Sequence, residues 1–153
     1  MTEGRVRVHG IEELGTTIPA IVSRLAQVAG LTHRQAYRMR LAAEEIATNI
    51  VTHGYRGRSG RIDIDAGFDD EWVWLRLADD APEFDPHVHD PSPRLAADPS
   101  MAPLGGFGLF LALSSVDCLE HVYTGGGNSN LLKVRRRPAD GGNSGEASRS
   151  GGG

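Results

Sequence analysis

The sequence predicts an α+β fold: a two-layer α/β sandwich in which helices cover one face of a mainly antiparallel sheet. Two helical stretches follow each other early in the chain. Two alternating stretches joined by a short turn come next, and a second such pair closes the chain. Because strands joined by tight turns pair antiparallel, and helices grouped in sequence cover one face, this order favours a two-layer arrangement.

Composition fits one globular domain. The chain has 153 residues, of which 39% are hydrophobic and 24% charged, and its net charge is -4. No basic block is present, so we expect no nucleic-acid partner. No apolar run approaches the roughly 20 residues of a membrane span, and the N-terminus lacks a signal-peptide apolar region. Cys118 is the single cysteine, and we expect it to be a small core residue. These features predict a cytoplasmic protein without membrane contact.

The first elements are a short strand and a long helix. Residues 5–9 alternate between polar and apolar, which predicts a strand. Residues 11–29 place apolar side chains on one broad face, which predicts a helix. Pro19 lies inside this helix and is expected to mark a kink or a later start, because proline removes a backbone donor. Gly30 is expected to end it.

The second helix is predicted over 33–53. It begins with a capping-box pattern at Thr32 and Gln35, and Gly54 should end it. Glu45 and Asn49 are four residues apart, so they lie on the same side at the edge of the apolar stripe. A carboxylate can take a proton from an attacking hydroxyl, and a carboxamide oxygen suits Mg²⁺. A solvated helix face explains the same spacing, and Glu44 is expected to be solvated.

Two strands are predicted over 61–66 and 72–78, joined by a turn. Asp79 continues the buried row of the second strand by one position. A carboxylate there is either a capping residue or a pocket residue able to accept a hydrogen bond from an exocyclic amine such as that of adenine. Trp72 and Trp74 face the opposite side of the sheet. They either form a partner or dimer surface or are covered by the N-terminal strand.

The remaining chain contains a long loop, a glycine motif and a closing hairpin. Residues 82–104 show no periodicity, and a loop of this length inside a domain is typical of a functional lid. Asp80 and Asp85, at its start, are expected to be solvated. A third helix is predicted over 109–116, then strands over 119–123 and 131–136 around a turn at 125–130. The Gly/Ser-rich tail, 138–153, is expected to be disordered.

The glycine motif precedes the third helix. Glycines allow a backbone to approach phosphates, and a helix N-terminus presents unpaired N–H groups. The motif consists of Gly105, Gly106, Phe107 and Gly108. Together with the helix carrying Glu45 and the acidic segment that begins at Asp79, it resembles the nucleotide-binding motifs of the GHKL ATPase superfamily, which includes gyrase, histidine kinases and heat-shock chaperone ATPases. The closest resemblance is to the anti-sigma-factor serine kinases of bacterial partner-switching systems.

This resemblance extends over most of a predicted domain at 5–137 and implies a Bergerat-type fold with an ATP lid. It also implies roles for matching residues: Glu45 as general base, Asn49 as magnesium ligand and Asp79 as adenine-binding residue. Further cofactor-binding positions are Ala81, Gly105, Gly106, Phe107 and Gly108. The implied function is phosphorylation of a serine on an antagonist protein, using ATP and Mg²⁺, together with sequestration of a sigma factor by a homodimer.

The acidic segment departs from the superfamily pattern. The usual Asp-x-Gly-x-Gly is replaced here by a segment with Ala81 and Glu83 at the glycine positions. A second hypothesis is therefore a non-catalytic nucleotide-binding or partner-sequestering regulatory module. A third, the catalytic domain of a histidine kinase, is the least favoured, because we see no preceding helix pair with a phosphoacceptor.

Overall fold

A computed structural model describes residues 2–88 and 113–136 of the chain. Its elements are β1 (Thr2–Val8), α1 (Ile11–Ala29), α2 (His33–Asn49), a π-helical turn (Ile50–Gly54), β2 (Ile62–Phe68), β3 (Trp72–Asp79), β4 (Cys118–Thr124) and β5 (Gly127–Arg135). The glycine motif, the predicted tail, most of the predicted lid and the first half of the predicted third helix lie outside the described residues.

The sheet confirms the predicted fold class. Its five strands run in the order β1-β2-β3-β5-β4, and every neighbouring pair is antiparallel. Both long helices pack on one face, where α1 contacts β2 and α2 contacts β3 and β5. The register places Leu75 opposite Leu132 and Ile64 opposite Leu77. All four side chains are fully buried, so the core lies between the sheet and the two helices.

Helix α1 has the predicted bounds but is not interrupted at its proline. The helix continues through Pro19 from Ile11 to Ala29, so the expected later start was wrong. Buried side chains lie on both sides of the proline, among them Ile18 and Val22. A proline inside a helix costs about 3 kcal/mol, and each fully buried aliphatic side chain contributes about 1.5–3 kcal/mol. Packing of the apolar face therefore outweighs the lost hydrogen bond.

Helix α2 begins as predicted but ends earlier. Thr32 and Gln35 form the capping box, with Thr32 Oγ1 accepting from the Gln35 amide at 3.1 Å. Regular α-helix stops at Asn49 rather than near residue 53, and the chain continues as the π-helical turn, closed by the Tyr55 amide donating to the Ile50 carbonyl at 2.8 Å. Three consecutive β-branched residues begin this turn, and such side chains crowd a regular helix.

The closing hairpin is tighter than predicted. Its turn has Gly125 at φ 60° and Gly126 at φ 83°, and Thr124 pairs with Gly127 across it. Positive φ at both central residues matches the twist of a two-residue hairpin. Residues 128–130, predicted to belong to the turn, are therefore part of β5. The first strand also differs, since it covers Thr2–Val8 rather than 5–9.

The outer face of the sheet carries the two tryptophans, half-buried as the alternation predicts. Trp72 is covered by Lys133 and Arg135, whose charged groups lie 4.9 Å and 4.7 Å from its ring centroid, and not by β1, which pairs with β2 at the sheet edge. Cys118 is half-buried on this outer face, so its assignment to the core was wrong; its neighbour Leu119 takes the inward position. In the described chain, neither long helix has the apolar length needed to cross a membrane.

Candidate functional site

A narrow cavity opens where α2 and its π-helical turn meet the ends of β3 and β5. Its free volume is about 10 Å³, roughly the space of one water molecule. A purine is larger than this free volume. The lining residues are Ile46, Asn49, Ile50, Gly54, Asp79, Ala81, Pro82, Phe84, Pro86, Asn128 and Asn130.

Asp79 is the charged group of this cavity. It ends β3 and is only 2% exposed, as the alternation of the strand predicts. Its Oδ1 accepts hydrogen bonds from the Ala81 amide at 2.9 Å and from Asn128 Nδ2 at 3.0 Å. Its Oδ2 is buried and has no hydrogen-bond partner among the described residues. Burial raises the pKa of the Asp79 carboxyl above its usual range. The free oxygen is an acceptor placed to receive a ligand's N–H group.

Asn128 fixes the segment around this carboxylate. Its Nδ2 also donates to the carbonyls of Ala81 and Pro82 at 3.1 Å and 3.0 Å. Its Oδ1 accepts from the Phe84 amide at 3.0 Å and from His121 Nε2 at 2.9 Å. Asn128 was not predicted as a site residue, because the sequence predicts a turn at this position. Once β5 is known to begin at Gly127, the alternation of the strand places Asn128 on the inner face.

The two departures from the usual glycine pattern have different positions. Ala81 is buried, and its methyl group occupies the space beside Gly54; a Cβ added to Gly54 would lie 2.8 Å from that of Ala81. Among non-glycine residues in the described ranges, only Arg56 has positive φ, so Ala81 is not strained. Glu83 is exposed and does not line the cavity. Neither substitution puts a charge into the site.

Tyr55 and Arg61 support the cavity from the edge of the sheet. The Tyr55 hydroxyl donates to the Arg61 carbonyl at 2.6 Å and accepts from the Asp80 amide at 2.9 Å. Arg61 Nε donates to Asp80 Oδ2 at 2.8 Å, and this pairing lowers the pKa of the Asp80 carboxyl. Asp80 is exposed but ion-paired, not simply solvated as expected. Gly127 completes this end, because a Cβ there would lie 2.6 Å from the Asp79 carbonyl oxygen.

Glu45 and Asn49 lie on one side of α2, as their spacing predicts. Asn49 lines the cavity, whereas Glu45, one turn earlier, is half-buried beside it. Partial burial raises the pKa of the Glu45 carboxyl, and His53 opposes this increase. Glu44 instead reaches outward, with Arg40 Nε 3.9 Å from its carboxylate. The two neighbouring glutamates thus have different surroundings, and neither lines the cavity.

The segment that follows β3 makes more contacts with the rest of the domain than the sequence predicts. Asp85, expected to be solvated, is half-buried and accepts from the His87 amide at 2.9 Å. It also lies 3.9 Å from His121 Nδ1, and the rings of His53 and Phe84 are nearly parallel, with centroids 6.1 Å apart. The structure therefore brings together three predicted site residues, Asn49, Asp79 and Ala81. The roles predicted for Gly105, Gly106, Phe107 and Gly108 concern residues outside the described ranges.

Comparison with known proteins gives one family. The family model of the histidine kinase-like ATPase domain matches residues 11–135, which include α1, α2, β2 to β5 and the whole cavity. No curated protein matches the chain.

Proposed function

The chain belongs to the family of histidine kinase-like ATPase domains, and on that premise we propose that it is an ATP-binding anti-sigma factor and a serine-protein kinase acting on an antagonist protein. The observation that carries the nucleotide part of this proposal is the buried Asp79 Oδ2, which has no hydrogen-bond partner in the described ranges and lies in a cavity also lined by Asn49.

Adenine recognition follows from the hydrogen bonds of Asp79. Its Oδ1 is held by the Ala81 amide and by Asn128, which leaves Oδ2 to accept an N–H from the exocyclic amine of adenine. A 6-oxo purine brings a carbonyl oxygen to the same place. Two acceptors would then face each other without a proton between them, so the site favours ATP over GTP.

Phosphoryl transfer is assigned to the polar side of α2. Asn49 offers a carboxamide oxygen, a ligand type that suits Mg²⁺ when waters and phosphates supply the remaining positions. When bound, Mg²⁺ neutralises charge on the transferred phosphoryl group. Glu45 takes the proton of the attacking serine hydroxyl; the serine oxygen bonds to the γ-phosphorus, the bond to the bridging oxygen breaks, and ADP leaves. A raised pKa brings Glu45 closer to the working pH of a general base.

Partner binding is supported by an uneven charge distribution. Between Glu13 and Glu44 the chain has four arginines and no acidic residue, although its net charge is -4. One of these arginines lies in α1 and three lie in α2. Arg40 lines an open groove between the two helices. We propose that an acidic helix of the sigma factor binds along this groove. The outer sheet face around Trp72 is the surface we propose for the homodimer.

Glu45→Gln tests the catalytic assignment, with Glu44→Gln as the matched control on the same helix. Each protein is incubated with Mg-ATP and a candidate antagonist, and phosphoserine is measured by mass spectrometry. We expect Glu45→Gln to lower the rate by about 10²–10⁴-fold, the usual contribution of a general base, while ATP affinity changes little. Full activity in Glu45→Gln, or no phosphoserine with wild type, would contradict kinase activity.

The narrow cavity favours a second candidate, a regulatory module that sequesters a partner without catalysis. In this alternative the methyl group of Ala81 and the closed segment over 82–86 keep nucleotide out. Calorimetry with ATP and Mg²⁺ separates the two candidates. Absence of binding favours the module, and binding followed by phosphoserine formation excludes it.

A further inference from the structure

Asn130 is a polar residue in an apolar row of β5. It is 2% exposed and stands opposite Leu77 of β3 and His121 of β4. The inner positions that follow it on the strand, Leu132 and Val134, are aliphatic and buried. An aliphatic side chain at position 130 would continue this row and add to the core. The presence of a carboxamide therefore has no explanation in the packing.

The Asn130 side chain has no hydrogen bond to any other residue in the described part of the chain. Its Oδ1 is buried without a partner. Asn128, two residues earlier, provides the contrast, because both ends of its carboxamide are hydrogen-bonded. Leaving a buried polar group unpaired is unfavourable, so the residue is better explained by a ligand than by the fold.

Asn130 and Asp79 line the same cavity, and each presents a buried oxygen that receives no hydrogen bond from residues 2–88 or 113–136. In the register, Asp79 pairs with Asn128, so Asn130 is its diagonal neighbour, about 7–8 Å away between Cα atoms. The two side chains extend from neighbouring strands into the same cavity. An exocyclic –NH₂ group has two protons, and it can satisfy both acceptors.

We propose that Asn130 is a second base-reading residue of the ATP site. Its Oδ1 accepts one N–H of the exocyclic amine of adenine while Asp79 Oδ2 accepts the other. The Asn130 Nδ2 group donates to the adjacent ring nitrogen, in the two-point pairing that a carboxamide makes with an adenine edge. This inference rests on the proposed binding of ATP and names the group that adds specificity to it.

The test combines a variant with a ligand lacking the amine. Wild type and Asn130→Val are titrated, with Mg²⁺, against ATP and against purine riboside triphosphate. We expect Asn130→Val to bind ATP about tenfold more weakly, the scale of a two-point base contact. Wild type should bind the ligand without the amine more weakly than it binds ATP. The corresponding loss of affinity in the variant should be at least about threefold smaller, because one of the two acceptors is already absent.

Two further variants, Ser129→Val and Asn130→Ser, test whether the effect belongs to the Asn130 carboxamide. Ser129→Val changes the neighbouring residue on the outer face and should retain wild-type affinities. The melting temperature of Asn130→Val without nucleotide should equal or exceed that of wild type, since valine fits the aliphatic row. Asn130→Ser removes the carboxamide without filling the site and should show the same weakening of ATP binding.

The outcomes separate the two proposals. Failure of wild type to bind ATP overturns the proposed nucleotide function and, with it, the role of Asn130. If wild type binds ATP but a folded Asn130→Val or Asn130→Ser protein binds it equally well, only the inference about Asn130 is overturned. An amine penalty that is equal in wild type and variant overturns it as well.

Discussion

At the scale of single residues, Asp79 and Asp80 are adjacent carboxylates with opposite effects on stability. Burial raises the pKa of Asp79, whereas the ion pair with Arg61 lowers that of Asp80. Stability linked to Asp79 is present below the ordinary aspartate pKa and is lost as the pH rises through its raised value. Stability linked to Asp80 is present above the ordinary pKa and is lost as the pH falls through its lowered value.

Asp79→Asn should therefore raise the melting temperature at pH 7, because it removes a buried charge and retains an acceptor for the Ala81 amide. The same change should weaken ATP binding by about 10–150-fold, the loss expected for a hydrogen bond to a charged group. Thermal unfolding and calorimetry measure the two effects. Asp80→Asn is the control and should lower the melting temperature at pH 7. A less stable Asp79→Asn protein would contradict the role of burial.

Asp79 was predictable from the sequence, and its partners were not. The alternation along β3 determines on which face of the sheet the Asp79 side chain lies, because one side of the strand is continuously apolar. For Asn128 and Asn130, the three consecutive glycines before them allow the turn to be placed at several positions. Only the fold shows that Gly125 and Gly126 take positive φ while Gly127 pairs in the strand. With the turn at Gly125 and Gly126, the alternation of β5 places both asparagine side chains on the inner face of the sheet.

At the scale of elements, the hairpin of β4 and β5 approaches the end of β3 because position 127 has no side chain. A Cβ there would lie 2.6 Å from the Asp79 carbonyl oxygen, a distance that the backbone cannot accept without moving. Gly127→Ala should lower the free energy of unfolding by about 1–3 kcal/mol, as overpacking does, and weaken ATP binding by displacing Asp79. Denaturant unfolding and calorimetry measure both.

Gly15→Ala is the matched control for this prediction. Nothing lies within 4 Å of a Cβ at Gly15 in α1, and alanine is favoured over glycine inside helices by about 1 kcal/mol. The control should therefore stabilise the protein and leave ATP affinity unchanged. Equal stability of Gly127→Ala and wild type would show that the hairpin does not need this close approach.

The start of α2 was predicted better than its end. The capping box of α2 is local and depends on two side chains, Thr32 and Gln35. Its end depends on how Ile50 and Val51 pack and on the contact of Gly54 with Ala81, which lies far along the chain. Such contacts have no signature within the segment itself. The same reasoning explains why the helix was predicted to be regular up to residue 53.

At the scale of the whole molecule, the four arginines of α1 and α2 lie in a stretch of the chain that has no acidic residue, between Glu13 and Glu44. Reversing two exposed charges of α2, Arg38→Glu with Arg40→Glu, of which Arg40 lines the proposed groove, should weaken binding of the proposed acidic partner about tenfold or more at low salt and less at high salt. ATP affinity should not change. Arg58→Glu, an exposed arginine outside these two helices, is the control. Partner affinity that is independent of both salt and these charges would contradict the proposed surface.

The order of elements along the chain predicted the layers but not the arrangement of the strands. The last strand, β5, lies between β3 and β4, and its long-range pairing with β3 has no local signal in the sequence. A chain still being synthesised lacks residues 127–135 until the rest of the matched domain has been made. Before then it has neither the strand that joins β4 to the rest of the sheet nor two of the asparagines that line the cavity. Vectorial synthesis therefore delays assembly of the nucleotide pocket until almost the complete domain has left the ribosome.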